Sequence, residues 1–182
     1  MQIIDHLLEP ARQVPSPNCG DRPDKDNVDL VVVHSISLPP GQYGGTQIEQ
    51  FFSNTLDCTE HPYFQQIEGL KVSAHLLIRR NGEIVQFVPF NRRAWHAGES
   101  SYKGRSNCND FSIGIELEGT DVEPFDPAQY QQLARVCHAL EAAYPGFSLQ
   151  NITGHSDISP GRKTDPGSGF DWQYFSSLLE KR

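Results

Sequence analysis

Apolar and polar positions along the chain follow two periods, and each marks a different kind of element. Val28 to Val33 is a short, nearly continuous apolar run broken only by Asp29, the pattern of a strand covered on both faces. Ser73 to Arg79, Glu83 to Val88 and Phe111 to Leu117 supply three more strands. Asn81-Gly82 is a hairpin signal because both residues tolerate positive φ, and it places Ala74 to Arg80 antiparallel to Glu83 to Val88. Helical spacing governs Pro127 to Ala143, where Tyr130, Leu133, Ala134, Cys137, Leu140 and Tyr144 recur at steps of three and four as a core-facing stripe. Asp126 caps that helix, proline takes its first position and Pro145-Gly146 follow its end, while His138 is incidental to it. Shorter helices are expected at Thr46 to Phe52 and at Trp172 to Leu179, the latter capped by Asp171.

Residues 1 to 27 hold five prolines or glycines and much polarity, so they read as an irregular arm rather than a separate domain. Strands interspersed with helices imply a single α/β layer domain around a central sheet, which the hairpin keeps from being purely parallel. At 182 residues the chain can bury about two-thirds of the surface its unfolded form exposes, and needs neither disulfide nor metal merely to fold.

The net charge of -8 argues against a nucleic-acid partner, which calls for a basic stripe. No stretch approaches the roughly 20 apolar residues of a membrane span. Met1 to Pro10 shows no basic leader, sustained apolar core or small-residue cleavage site, so a cytoplasmic protein is expected. Cys19, Cys58, Cys108 and Cys137 form no Cys-x-x-Cys pair and read as reduced, structural thiols. Among the dispersed basic pairs only Arg162-Lys163 has a motif around it.

Two segments bear on chemistry. Val31-Val32-Val33-His34 ends a β-branched run with a histidine, so His34 is expected at a strand end where the chain turns into a loop. Gly154-His155 to Asp165-Pro166-Gly167 sets a histidine, Lys163 and Asp165 in a loop punctuated by proline and glycine. Together they offer two imidazoles and a carboxylate, the number of protein ligands a catalytic zinc keeps while leaving its fourth position to water. Each segment also has a bland reading, a satisfied strand histidine and a solvated surface loop, and residue types alone do not choose between them.

The whole pattern does choose. The chain resembles the zinc N-acetylmuramoyl-L-alanine amidases of the amidase-2 and peptidoglycan-recognition superfamily, most of all their cytosolic 1,6-anhydro-muropeptide branch, over nearly its entire length. The resemblance rests on Arg12-Gln13-Val14-Pro15-Ser16-Pro17, on Val33-His34 with Ile36-Ser37-Leu38-Pro39-Pro40-Gly41, and on Val72-Ser73-Ala74-His75. It continues through Arg93-Ala94-Trp95-His96-Ala97-Gly98, Asn109-Asp110-Phe111 to Glu118-Gly119-Thr120, and Thr153-Gly154-His155 to Asp165-Pro166-Gly167.

This resemblance implies a central mixed sheet flanked by helices, a catalytic domain at 28–182, and zinc held by His34, His155 and Asp165. It implies catalytic roles for Glu116 and Lys163, and cleavage of the amide joining anhydro-N-acetylmuramic acid to L-alanine in recycled muropeptides. Trp95, Arg162 and Lys71 are expected to contact substrate, with Tyr63 a weaker candidate. His75, His96 and Asp157 are left outside the ligand set, because a fourth protein ligand would close the water position. Ser35 stands where the family leads one to expect asparagine and Lys71 where it leads one to expect arginine, two changes that bear on the peptide end of the substrate. The competing readings are a noncatalytic muropeptide-binding module and a serine or cysteine hydrolase. The latter lacks a Gly-x-Ser-x-Gly elbow or a recognisable nucleophile motif.

Overall fold

The computed structural model describes residues 1–25 and 27–181. Asp26, in the expected arm, and Arg182, the last residue of the expected catalytic domain, lie outside the described residues. In chain order the elements are β1 (Gln2–Ile4), β2 (Leu7–Glu9), β3 (Arg12–Gln13), β4 (Cys19–Asp21), β5 (Leu30–Ile36), α1 (Gln47–Phe52), α2 (Pro62–Gln66), β6 (Leu76–Ile78), β7 (Ile84–Gln86) and β8 (Arg92–Ala94). After these come β9 (Ser101–Tyr102), β10 (Arg105–Ser106), β11 (Ser112–Glu118), α3 (Pro127–Ala143), β12 (Ile152–Gly154), α4 (His155–Ile158) and α5 (Trp172–Leu179).

The central sheet has six strands in the order β12-β5-β11-β6-β7-β3. Its first four are mutually parallel, β7 runs antiparallel to β6, and β3 runs parallel to β7. The mixed sheet expected from the pattern is therefore present. Its register is set by burial: Val31 and Val33 of β5, Ile113, Ile115 and Leu117 of β11, and Leu76 and Ile78 of β6 turn toward Tyr130, Leu133, Cys137 and Leu140 of α3 and Phe175 of α5. The alternate residues face the opposite layer. There Leu77 and Val85 meet Ile48 and Phe52 of α1 and Phe64 of α2, while Leu30 and Val32 meet Ala97, Phe111 and Ile158. Because side chains alternate along a strand, one face of β5 and β11 serves the α3 core and the other is left for chemistry.

Helix α3 has the expected bounds, and the Asp126 amide donates to Gln129 Oε1 at 3.0 Å while Pro127 opens the first turn. Helix α5 also matches, with Asp171 Oδ1 accepting from the Tyr174 amide at 2.8 Å. Three expectations need correction. The first strand runs from Leu30 to Ile36 rather than Val28 to Val33, because β11 pairs with it residue for residue out to Glu118↔Ile36 and carries it through two polar positions. His34 therefore lies inside a strand, not at its end.

The hairpin turn is also different. Only Gly82 takes positive φ, and the bonds Gly82 N–H to Arg79 carbonyl (2.8 Å) and Arg79 N–H to Glu83 carbonyl (2.9 Å) enclose three residues, Arg80 to Gly82. This is the type I turn with a following left-handed residue, in which Gly82 supplies the conformation other residues resist. Lastly, the segment expected to be irregular carries four short strands. β3 forms an edge of the central sheet, β4 pairs antiparallel with β8, and Leu8 of the β1–β2 hairpin is buried in the α3-side core. Backbone pairing organised by the rest of the domain overrides the local proline and glycine signal.

Candidate metal centre

Three of the parallel strands deliver their ends to one place. His34 stands fifth of seven on β5, Glu116 fifth of seven on β11, and His155 follows the last residue of β12 as the first of α4. The carboxyl ends of parallel strands are where α/β sheets form ligand crevices, since the chain leaves the sheet there in loops. Asp165 reaches the same point from the loop after α4, which the Ser156 amide ties back by donating to the Asp165 carbonyl at 2.9 Å.

The donors form a tight triangle. His34 Nδ1 lies 2.9 Å from Asp165 Oδ2 and 3.0 Å from His155 Nδ1, and His155 Nδ1 lies 3.1 Å from the same Oδ2. These residues form a group that could hold a metal ion, the two histidines being buried and Asp165 partly so. Hydrogen bonding alone does not satisfy the triangle. If each Nδ1 carried a proton toward Oδ2, two N–H groups would face each other at 3.0 Å; if one did not, its lone pair would face the carboxylate, and if neither did, two lone pairs would. Donors about 2.0–2.1 Å from a tetrahedral ion lie about 3.3 Å apart, close to the spacing seen. The donor set thus fits a cation.

Electrostatics agree. Burial, with the neighbouring His155 adding to it, lowers the His34 pKa to about 4 against the opposing pull of Asp165, so its imidazole is neutral at pH 7. Burial acts to raise the Asp165 carboxyl, but the two imidazoles facing Oδ2, His155 before His34, outweigh it and hold the group below the usual carboxylate range. The His155 Nε2–H donates to the Ala97 carbonyl at 3.0 Å, which leaves Nδ1 as a lone pair toward the triangle.

The site floors a cavity of about 600 Å³. Its lining includes the apolar Trp95, Tyr63, Leu38, Ile67 and Val72 and the polar Glu116, Asp121, Arg162 and Lys163. Glu116 and Glu118 share a face of β11, and the sequence does not distinguish them by alternation. The structure does. Glu118 is saturated by Arg79 Nη1 (3.0 Å), the Arg80 amide (3.1 Å) and the Gly44 amide (2.8 Å), whereas Glu116 Oε2 is buried without a partner. Burial first, then the charge of Asp165, raise the Glu116 pKa well above the ordinary range, opposed by Lys163.

Of the remaining expected site residues, Lys163 is exposed on the cavity rim, and Arg162 spends its Nη2 on the Ala97 and Glu99 carbonyls and Ser159 Oγ. Lys71 does not line this cavity; it lines an adjoining hollow with Phe51, Leu56 and Leu70. His75 and Asp157 lie outside the triangle. His75 Nδ1 accepts from the Gly114 amide at 3.0 Å, and Asp157 Oδ2 accepts from the Gly154 amide and Thr153 Oγ1, both at 2.9 Å. One organising residue escaped the sequence: Asp121 accepts from Ser35 Oγ and Thr164 Oγ1, so it clamps the neighbours of two triangle residues together. No spacing pattern joins positions 35, 121 and 164.

An α/β layer with a two-histidine, one-carboxylate donor set beside a buried carboxyl defines a hydrolytic type of site, and the chain belongs to the N-acetylmuramoyl-L-alanine amidase family, which it matches over residues 24–168. Within that family it is 60% identical over 179 residues to the 1,6-anhydro-N-acetylmuramyl-L-alanine amidase AmpD of Citrobacter freundii, covering 98% of this chain and 95% of the relative. A selenomethionine crystal structure of AmpD superposes with a TM-score of 0.95 at 58% identity, covering 98% of this chain and 99% of that one. The Escherichia coli amidase AmiD, solved with the substrate anhydro-N-acetylmuramic acid-L-Ala-D-γ-Glu-L-Lys, gives a TM-score of 0.60 at 30% identity, with 84% and 57% of the two chains covered.

Proposed function

We propose that this chain is a zinc-dependent amidase that hydrolyses the bond between (1,6-anhydro-)N-acetylmuramic acid and L-alanine in muropeptides during cell-wall recycling. The observation that carries the reading is the convergence of His34 Nδ1, His155 Nδ1 and Asp165 Oδ2 within 3.1 Å of one another in the cavity that Glu116 also lines, in a chain 60% identical to AmpD. Two neutral imidazoles and a carboxylate suit zinc, and three protein ligands leave the position hydrolysis needs. Bound there, zinc would supply Lewis acidity, polarising the scissile carbonyl and acidifying water.

The chain's own groups supply the rest. Glu116, with an unpartnered oxygen and a raised pKa, takes the proton of the attacking water and delivers it to the departing L-alanine nitrogen. Lys163 on the rim offers its ammonium to the charge developing on the carbonyl oxygen. Trp95 and Tyr63 present apolar surface to the sugar, while Arg162 in the cavity and Lys71 in the adjoining hollow offer cations to a stem-peptide carboxylate. Catalysis is assigned to residues 28–182, onto which β3 and β4 pair and Leu8 packs from the preceding segment.

A cytoplasmic location is supported by four cysteines that are all free, two of them buried. Among the described residues no helix is long and apolar enough to cross a membrane. Incubating zinc-loaded protein with anhydro-muropeptide and weighing the products tests the reading: release of free stem peptide and anhydro-sugar supports it, and intact substrate rejects it.

A further inference from the structure

The zinc reading leaves open what orients His34, whose Nδ1 must be a lone pair for the triangle to hold a cation. His155 has its answer in the Ala97 carbonyl. For His34 the answer lies in a chain of hydrogen bonds whose protons can be placed one by one. The Ser112 hydroxyl donates its only hydrogen to the Cys108 carbonyl at 2.6 Å. Ser112 Oγ therefore meets His96 Nε2, 3.1 Å away, as an acceptor, and the His96 proton sits on Nε2. His96 Nδ1 is then a lone pair, and it faces His34 Nε2 at 2.9 Å. That contact requires the proton of His34 on Nε2, which leaves Nδ1 free toward His155 and Asp165.

The fold makes room for this ring. Gly114 lies in the middle of β11, where a glycine weakens a strand and calls for a reason. A Cβ built there would stand 2.3 Å from His96 Cγ and 2.5 Å from Nδ1, so no other residue admits the ring at its present place. The backbone behind the ring is pinned as well: Asn109 Oδ1 accepts from the amides of His96 (3.1 Å) and Ala97 (2.8 Å). One dipeptide thus reaches both imidazoles, His34 through the His96 side chain and His155 through the Ala97 carbonyl.

We propose that His96 is a positioning residue of the metal centre, its Nδ1 accepting from His34 Nε2–H and so fixing the tautomer of His34 that can bind a cation. The proposal rests on the zinc reading, and its test separates the two. Zinc affinity is measured by competition with a chromophoric chelator for wild type, His96→Phe, His96→Asn and Ser112→Ala, alongside long-range proton–nitrogen spectra of the imidazoles. His96→Phe keeps the ring's bulk without the acceptor and should weaken zinc binding by about 10- to 100-fold, the scale for losing an outer partner of a ligand.

His96→Asn places Oδ1 near the position of Nδ1 and should recover most of that loss, which a merely space-filling role would not allow. Ser112→Ala, a small change less able to disturb folding, should weaken zinc binding several-fold and leave His96 a mixture of tautomers. Wild-type spectra should show the proton on Nε2 of both His34 and His96. Wild-type affinity in His96→Phe or Ser112→Ala, or a His34 proton on Nδ1 in the wild type, overturns the proposal with the zinc reading intact. A folded wild type that binds no zinc overturns the zinc reading and the proposal with it.

Discussion

Glu116 and His34 are direct partners across the parallel β5–β11 pair, so the unpartnered carboxyl and an imidazole of the donor triangle stand side by side on one face of the sheet. Neither can move without breaking the ladder that holds the other. Glu116→Gln keeps shape and reach but cannot accept a proton; turnover should fall by about 10² or more while zinc content and muropeptide affinity stay near wild type. Single-turnover kinetics with metal analysis checks this, and loss of zinc in the variant would assign Glu116 to the metal site instead.

Each corner of the donor triangle should matter to metal retention. His34→Ala, His155→Ala and Asp165→Ala open the shell to additional water and should each weaken zinc binding by at least about tenfold, in line with losing one of three protein ligands. His138→Ala, on α3 and outside the triangle, should bind zinc as the wild type does. Dialysis against a metal-buffered series measures all four.

Lys163 stands on the rim, where its charge can act on the reaction without holding the fold. Lys163→Met should lower kcat by about 10²-fold, the scale of losing one oxyanion partner, with zinc content and melting temperature unchanged. An unaltered kcat would leave Lys163 a surface residue.

Removing the metal should cost activity and not the fold, because the buried core on both sheet faces is built without the triangle. Chelated protein should keep its near-ultraviolet circular dichroism and unfold cooperatively at a somewhat lower temperature, since an ion that binds only the folded state stabilises it by mass action. Turnover should be abolished and return when zinc is added back. Collapse of the tertiary signal on chelation would instead make the site structural.

Acid–base linkage gives a separate handle on Glu116. Its raised pKa means the folded metal-free protein binds more protons than the unfolded chain above about pH 4.3, so this group makes stability fall as pH rises through that window. The depressed pKa of His34 acts with the opposite sign between about 4 and 6.5, stability rising with pH, and His75 and His96, lowered by burial, act in the same sense, so the wild-type profile alone mixes several groups. The difference between wild type and Glu116→Gln isolates the carboxyl: the variant should gain stability relative to wild type as pH rises from 4 to 7 in urea unfolding. A constant difference would mean that Glu116 titrates normally.

Much of the fold is legible in the sequence where burial writes a period. α3 and the Tyr144 that caps it show six stripe positions at helical spacing, and all six are buried. The hairpin announces itself through Asn81-Gly82, yet its form is decided by which residue takes positive φ, and only Gly82 does. The boundary of β5 is illegible because its end carries His34 and Ser35, polar for the sake of the site, and only the partner strand shows that the ladder continues. β3, β4 and β12 are two or three residues long, too short for any period, and exist because partner strands were there to receive them, β7 and β5 at the edges of the central sheet and β8 outside it.

The site was legible as a set of blocks and not as a geometry. His34, His155 and Asp165 come together as the resemblance implies, across 121 and 10 residues of separation that no local pattern links. The resemblance singles out Glu116, alternation along the strand does not, and the partners that saturate Glu118 and leave Glu116 Oε2 unpaired supply the physical distinction; His96 emerged only when each proton along Ser112, His96 and His34 had to be placed. Lys71 lies beside the main cavity rather than in it: Leu70 borders both hollows, and Lys71 only the neighbouring one.

The most direct test is mass spectrometry of anhydro-muropeptide incubated with the purified protein, zinc-loaded and zinc-depleted in parallel. The account predicts free L-alanine-led stem peptide and anhydro-N-acetylmuramic acid from the loaded sample, intact substrate from the depleted one, and recovery on adding zinc. Equal cleavage in a sample verified to be metal-free, or cleavage at another bond, would contradict it.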